Sequence, residues 1–216
     1  MRAALLFLPL LASCASSPSV APVATYPAAY LHVVAVAPGD ARVKPRGARW
    51  AVYLDGFIDS GASQRFASLV EHEKITDATV YFNSPGGHLV EAMALGRLLR
   101  ERGFHTSVGA RAADTGRPRA GACYSSCPFA YAGGTQRGLE RGSALGLHRA
   151  ENRVPVPDET AFQGAVAQQA GRYLAEMNVS QEMLAIMSRV PHDAIKVLTP
   201  AESVRLNLVN VLHEGE

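Results

Sequence analysis

The sequence predicts an α/β domain of repeated βαβ units, with a largely parallel sheet flanked by helices. Three observations lead there. Short apolar runs closed by turn residues recur, as in "WAVYLDG" and "ATVYFN", the pattern of strands buried on both faces. Between these runs stand segments whose apolar residues repeat at helical spacing. Strands that alternate with helices give a parallel sheet, because each crossover helix returns the chain to the same end.

In chain order, "WAVYLDG" is a buried strand closed by Asp55 and Gly56. Asp59, Ser60 and Gly61 then offer caps for a helix through about His72, with Phe66, Leu69 and Val70 on one face. "ATVYFN" is a second strand and ends at "SPGG". The helix that follows carries Leu89, Met93, Gly96 and Leu99 on one side and Arg97, Arg100 and Glu101 on the other. "FHTSVGA" is a third strand. Later, Phe162, Val166, Ala170 and Leu174 recur at four-residue spacing, and Met183, Leu184 and Met187 form a second helical set. "TPAE" from Thr199 reads as a capping box with Pro200 at the first helical position.

The first residues read differently. One Arg precedes an apolar run over residues 3–12, too short to span a bilayer and laid out as a secretory signal. The run ends in Leu11, Ala12, Ser13 and Cys14, which resembles the bacterial lipobox. By that resemblance, residues 1–13 are a signal peptide and Cys14 carries lipid. Ala15 in place of Asp favours the outer membrane. Residues 14–48 are rich in Pro and Ala and read as a tether, though "YLHVVAVA" within them has the composition of a short strand. The folded domain is expected over residues 49–216. The expected location is the bacterial cell envelope, lipid-anchored and facing the periplasm. With 216 residues, 48% of them hydrophobic, the chain can build one sizeable core. A net charge of +2 with the basic residues spread out gives no sign of a nucleic-acid partner.

In a parallel sheet, sites form where strands end and the connecting turns meet. Two such turns stand out. In "NSPGG", Gly86 and Gly87 leave a strand and open a helix, so their backbone is open to close approach. This is not a Walker loop, because no Gly-Lys-Ser/Thr follows, and it lacks the dinucleotide spacing. In "GACYSSCPFAYAGG", two serines sit between two cysteines just before Pro128, a residue tolerated in the first turn of a helix. Taken alone, a serine before a helix is more often only an N-cap.

Together the motifs are more specific. "VYFNSPGG" before a helix, then "GACYSSCPFAYAGG", then "ALGLHRA", resembles the proteolytic subunit of Clp protease. It likewise resembles that subunit's relatives, signal peptide peptidase A and the wider crotonase-like superfamily. The shared order is a glycine doublet, a serine at a helix start, an Ala/Gly-rich helix and a histidine at a strand end. The tail "VLTPAESVRLNLVN" is similar to the family's closing segment, and the resemblance covers about residues 50–211.

The resemblance implies a serine hydrolase, most often a peptidase, acting on a peptide or protein substrate without a cofactor. Ser125 would be the nucleophile and His148 its base. The N–H groups of Gly87 and Ser126 would form the oxyanion hole. A one-residue shift would move the nucleophile to Ser126 and the donor to Cys127. The family's subunits often form rings, so a homo-oligomer is within the expectation. The sequence departs from the family at the third member of the triad. The family aspartate aligns to Ile195, and Asp193 lies two residues earlier, within reach of a small shift. Without it the site is a Ser–His dyad, or the histidine is oriented by a backbone carbonyl. That departure keeps a catalytically silent peptide- or acyl-binding module open. A crotonase-type acyl-thioester enzyme is the weaker alternative, since an exported chain lies away from the intracellular CoA pool.

Cys123 and Cys127 have three readings: a disulfide, plain core packing, or a zinc site with His148 that lacks an evident fourth ligand. The first two stand level. The segment between the third strand and the serine turn carries Arg111, Arg117 and Arg119. It reads as a solvated loop, with a lid or an anion contact as the sharper alternative.

Overall fold

The computed structural model describes residues 30–38, 49–152 and 155–211. The proposed signal peptide, Cys14 and most of the proposed tether lie outside the described residues. Strands β1 (Leu31–Val36), β2 (Trp50–Gly56), β3 (Ala78–Asn83), β4 (His105–Val108) and β8 (Arg137–Leu139) make a five-stranded sheet in the order β1-β2-β3-β4-β8. Pairing is parallel from β2 to β8, and only β1 runs antiparallel. Helices α1 (Ala62–His72) and α2 (Leu89–Glu101) make the βαβ crossovers. This is the expected α/β class.

Pleating divides the sheet's apolar residues between two faces. Val52, Leu54, Val80 and Phe82 are fully buried in the main core, which also takes in Phe66, Met93 and Leu99 of the helices. Val36, Ala51, Tyr53 and Tyr81 form a smaller cluster of their own, in which the two tyrosine rings stack 5.0 Å apart.

Two expectations need correction here. β1 falls inside the segment read as tether, yet it is an edge strand of the sheet with Leu31 in the core. Asp59 helps hold it by accepting the Leu31 N–H at 3.1 Å. The folded unit therefore includes residues before 49. The arginine-bearing segment is solvated at Arg111, Arg117 and Arg119 as expected, but it is a hairpin rather than a plain loop: β5 (Ala110–Arg111) pairs with β6 (Pro118–Arg119). The Tyr53 hydroxyl donates to Gly116 O at 3.0 Å, tying the hairpin to the smaller cluster.

A second sheet has the order β10-β9-β7, from β7 (Ala122–Tyr124), β9 (Ala144–Leu147) and β10 (Lys196–Val197). Between β7 and β8 lies α3 (Cys127–Ala132), fully buried. It packs closely against α2: a Cβ at Gly133 would fall 2.0 Å from Gly96 O. The Arg100 guanidinium donates to Ala132 O, Gly133 O and Gly134 O, filling acceptors that the end of α3 leaves open. Helix α4 (Glu159–Glu176) seats the Tyr173 hydroxyl on Phe129 O at 2.6 Å, and α5 (Glu182–Ser188) follows. α6 (Pro200–Arg205) carries the predicted capping box: Thr199 accepts the Glu202 N–H and Glu202 accepts the Thr199 N–H. Among the described residues no helix is long and apolar enough to cross a membrane.

Candidate active site

A backbone bridge between the two sheets sets the site. Ser84, just past β3, donates its N–H to Ala122 O at 2.7 Å and accepts the Tyr124 N–H at 3.0 Å. The glycine turn that follows β3 therefore lies beside the serine turn that follows β7. Ser84 also accepts the Gly86 N–H on its hydroxyl at 3.1 Å, a local side-chain turn that bends the chain after Asn83. A Cβ at Gly86 would sit 2.6 Å from the Ser125 Cβ and 2.9 Å from the Ser126 nitrogen, so only glycine admits this contact.

Gly87 is held from the other side by Ile58. The Ile58 N–H donates to Gly86 O and Ile58 O accepts the His88 N–H, both at 2.8 Å. The N–H groups of Gly87 and Ser126 have no acceptor among the described residues. They belong to the two turns that Gly86 brings into contact.

Ser125 has φ 61°, in the left-handed region that side-chain-bearing residues avoid at a cost of about 1–2 kcal/mol. Its N–H donates to Gly146 O at 3.0 Å, which anchors the turn to β9. Ser125 is half-buried, whereas Ser126 is buried and its hydroxyl has no partner. β7 and β9 are parallel with Tyr124 opposite Gly146. Ser125 and His148 therefore leave the second sheet at the same end.

His148 is half-buried, and its Nδ1 is buried without a hydrogen-bond partner. Asp193 is exposed and does not reach Nδ1, so it is not the orienting carboxylate in this structure. The tail's register instead buries Ile195 against Gly146. Two residues the sequence did not single out act on His148. The Arg149 N–H donates to Val190 O at 3.0 Å, and Glu151 pairs with His192 at 3.3 Å. Burial, then His192, push the imidazole below its usual value, while Glu151 pulls it up. Nothing in the sequence marked this pair, because its members come from two segments some 40 residues apart.

Cys123 and Cys127 are joined in a disulfide with Cα atoms 5.2 Å apart, and both are fully buried. Among the described residues no group of three His, Cys, Asp or Glu is placed to hold a metal ion. A recess of about 140 Å³ is lined by Arg49, His105, Ser107 and Glu140, and none of the candidate catalytic residues line it.

No protein-family model matches the sequence, and no curated protein matches it. Solved structures do match. ClpP1 from Listeria monocytogenes superposes with a TM-score of 0.56 at 16% identity, covering 77% of this chain and 92% of that one. A mutant of the 1510-N membrane-bound stomatin-specific protease, in complex with a substrate peptide, gives 0.52 at 14% identity, covering 76% and 73%. A second mutant of that protease gives 0.51 at 12%. The chain has the Clp-protease-like fold. At these identities the likeness establishes the architecture, and the chemistry rests on the chain's own residues.

Proposed function

We propose that this chain is a serine hydrolase acting on peptide or protein substrates, with Ser125 as nucleophile and His148 as base. The observation that carries it is the contact at Gly86. It puts two unpartnered N–H groups beside a serine held at positive φ, at the strand end where His148 also emerges. The similarity to structures of two proteases, one with a substrate peptide bound, supports the peptide class.

In this reading, neutral His148 takes the hydroxyl proton as the Ser125 oxygen attacks the carbonyl. The N–H groups of Gly87 and Ser126 hold the oxyanion as it forms. The protonated imidazole then gives its proton to the leaving amine, and water releases the acyl group by the same steps reversed. The orientation of His148 comes from packing rather than a carboxylate, so the site works as a dyad and more slowly than a full triad. The orphan Nδ1 is also the observation that favours the second reading, a silent peptide-binding module. Incubating purified protein with a fluorophosphonate probe separates the two. Labelling supports the hydrolase, and an unreactive wild type supports the silent module.

The base must be neutral to act, so its lowered pKa extends activity downward in pH. The acid limb of the labelling rate is expected below the ordinary imidazole value of 6.5. Glu151→Gln moves that limb lower still, and His192→Gln moves it up. A wild-type limb above 6.5 would count against His148 as the base.

We further propose that the chain is exported and held at the membrane by lipid on Cys14, with the domain facing the periplasm. The support is the sequence pattern at residues 1–14. Fractionation of wild type and Cys14→Ala tests it: the variant is expected in the soluble fraction, and identical partitioning would defeat the anchor.

A further inference from the structure

The disulfide closes a loop that contains the serine turn and little else. Cys123 lies in β7, opposite Leu145 of β9 and in the bridge to Ser84. Cys127 is the first residue of α3, inside the core. Only Tyr124, Ser125 and Ser126 lie between them. In those three residues the chain must turn from strand to helix, and it does so through Ser125 at φ 61°. Tyr124 and Ile195 both lie against Gly146, and Gly86 lies so close to the Ser125 Cβ that a side chain there would clash with it.

We infer that the Cys123–Cys127 disulfide is a positioning clamp for the nucleophile, so that reactivity at Ser125 is gained on oxidation and lost on reduction. The inference rests on the serine-hydrolase reading for its effect on activity, but the clamp itself is a structural claim. With the bond open, the three-residue segment is free to return Ser125 to negative φ, the relaxed state of a residue with a side chain. That change withdraws the Ser125 N–H from Gly146 O. It also turns the Ser126 N–H away from Gly87, so nucleophile and oxyanion donor are lost together. A displacement of about 1 Å at such a site costs about a hundredfold in rate.

The bond forms by thiol–disulfide exchange with an external disulfide, such as oxidised glutathione or an oxidised dithiol protein. One cysteine thiolate attacks that disulfide, giving a mixed disulfide and releasing a partner thiolate. The second cysteine thiolate then attacks the protein sulfur and expels the other partner thiolate. Two protons leave the cysteines, and two electrons reduce the external disulfide to its two thiols. Both sulfurs are fully buried, so the finished bond is reached only through local opening. A chain folded in a reducing compartment carries a relaxed, unreactive turn, and oxidation after export sets it.

The test compares full-length protein in three states: oxidised, equilibrated with excess dithiothreitol, and reoxidised with oxidised glutathione. Thiol content is read by alkylation and mass shift. The fluorophosphonate labelling rate is expected to fall about a hundredfold on reduction and to return on reoxidation. The Cys123→Ser/Cys127→Ser variant is expected to stay at the reduced rate. Amide hydrogen exchange supplies a readout independent of activity. Protection of the Ser125 N–H is expected to be lost on reduction while protection in α2 and β3 is kept. Unchanged Ser125 protection in the reduced protein, or an unchanged labelling rate, would overturn the clamp. Global unfolding on reduction would overturn it too, making the bond a general scaffold. If oxidised wild type never labels, the hydrolase reading fails, while the exchange data still decide the clamp.

Discussion

Ser125→Ala abolishes fluorophosphonate labelling, because Ser125 is the nucleophile in this reading and is half-buried, whereas Ser126 beside it is buried. Ser126→Ala keeps most of it. The Ser126 side chain is buried and unpartnered, and its contribution is the backbone N–H, which alanine retains. His148→Ala slows labelling by about two to four orders of magnitude, the usual worth of a positioned base. Asp193→Asn leaves the rate near wild type, because that carboxylate is exposed and does not reach Nδ1. The four variants discriminate sharply. Loss of labelling in Ser126→Ala alone would shift the nucleophile by one residue. Loss in Asp193→Asn would mean that the tail rearranges to complete a triad. Full labelling in His148→Ala would leave the serine without its base and break the mechanism.

How much of this was legible in the sequence follows from where each signal lies. β2 and β3 were legible because buried parallel strands are continuous apolar runs, and α1 and α2 because their faces repeat at helical spacing. β1 was legible as a short strand but not as part of the domain, because it lies among proline and alanine and only its antiparallel pairing with β2 joins it to the sheet. β8 and β10 have three and two residues, too few for any period to show. The two turns were legible because glycine doublets and serine-proline combinations mark strand-to-helix transitions. Their contact was not, since it depends on Ser84 bridging to Cys123 across two sheets. The surroundings of His148 were least legible. His192 comes near it, and Ile195 packs on the neighbouring Gly146, only after the tail folds back on β9, and Glu151 acts there paired with His192.

That dependence on backbone contact makes Gly87 the sharpest remaining probe. A Cβ at Gly87 would fall 2.1 Å from Ile58 O, 2.8 Å from its carbonyl carbon and 2.9 Å from its nitrogen. These are backbone atoms of a fully buried residue, pinned by hydrogen bonds to Gly86 and His88. They cannot swing aside as a flexible side chain would. Gly87→Ala must therefore break that bridge or push the turn toward Ser125, and either movement displaces the Gly87 N–H. The expected result is a fall of about 100- to 1,000-fold in labelling rate, the worth of one oxyanion donor. Stability should fall by about 3 kcal/mol from the lost bridge and the overpacking. Gly103→Ala is the control. Its φ of 69° also favours glycine, but a Cβ there meets nothing within 4 Å, so it should cost about 1 kcal/mol and leave the labelling rate unchanged. Chemical denaturation separates the two terms, with labelling measured well below the unfolding midpoint. A Gly87→Ala protein that labels at the wild-type rate would remove Gly87 from the oxyanion hole and with it the role assigned to the glycine turn.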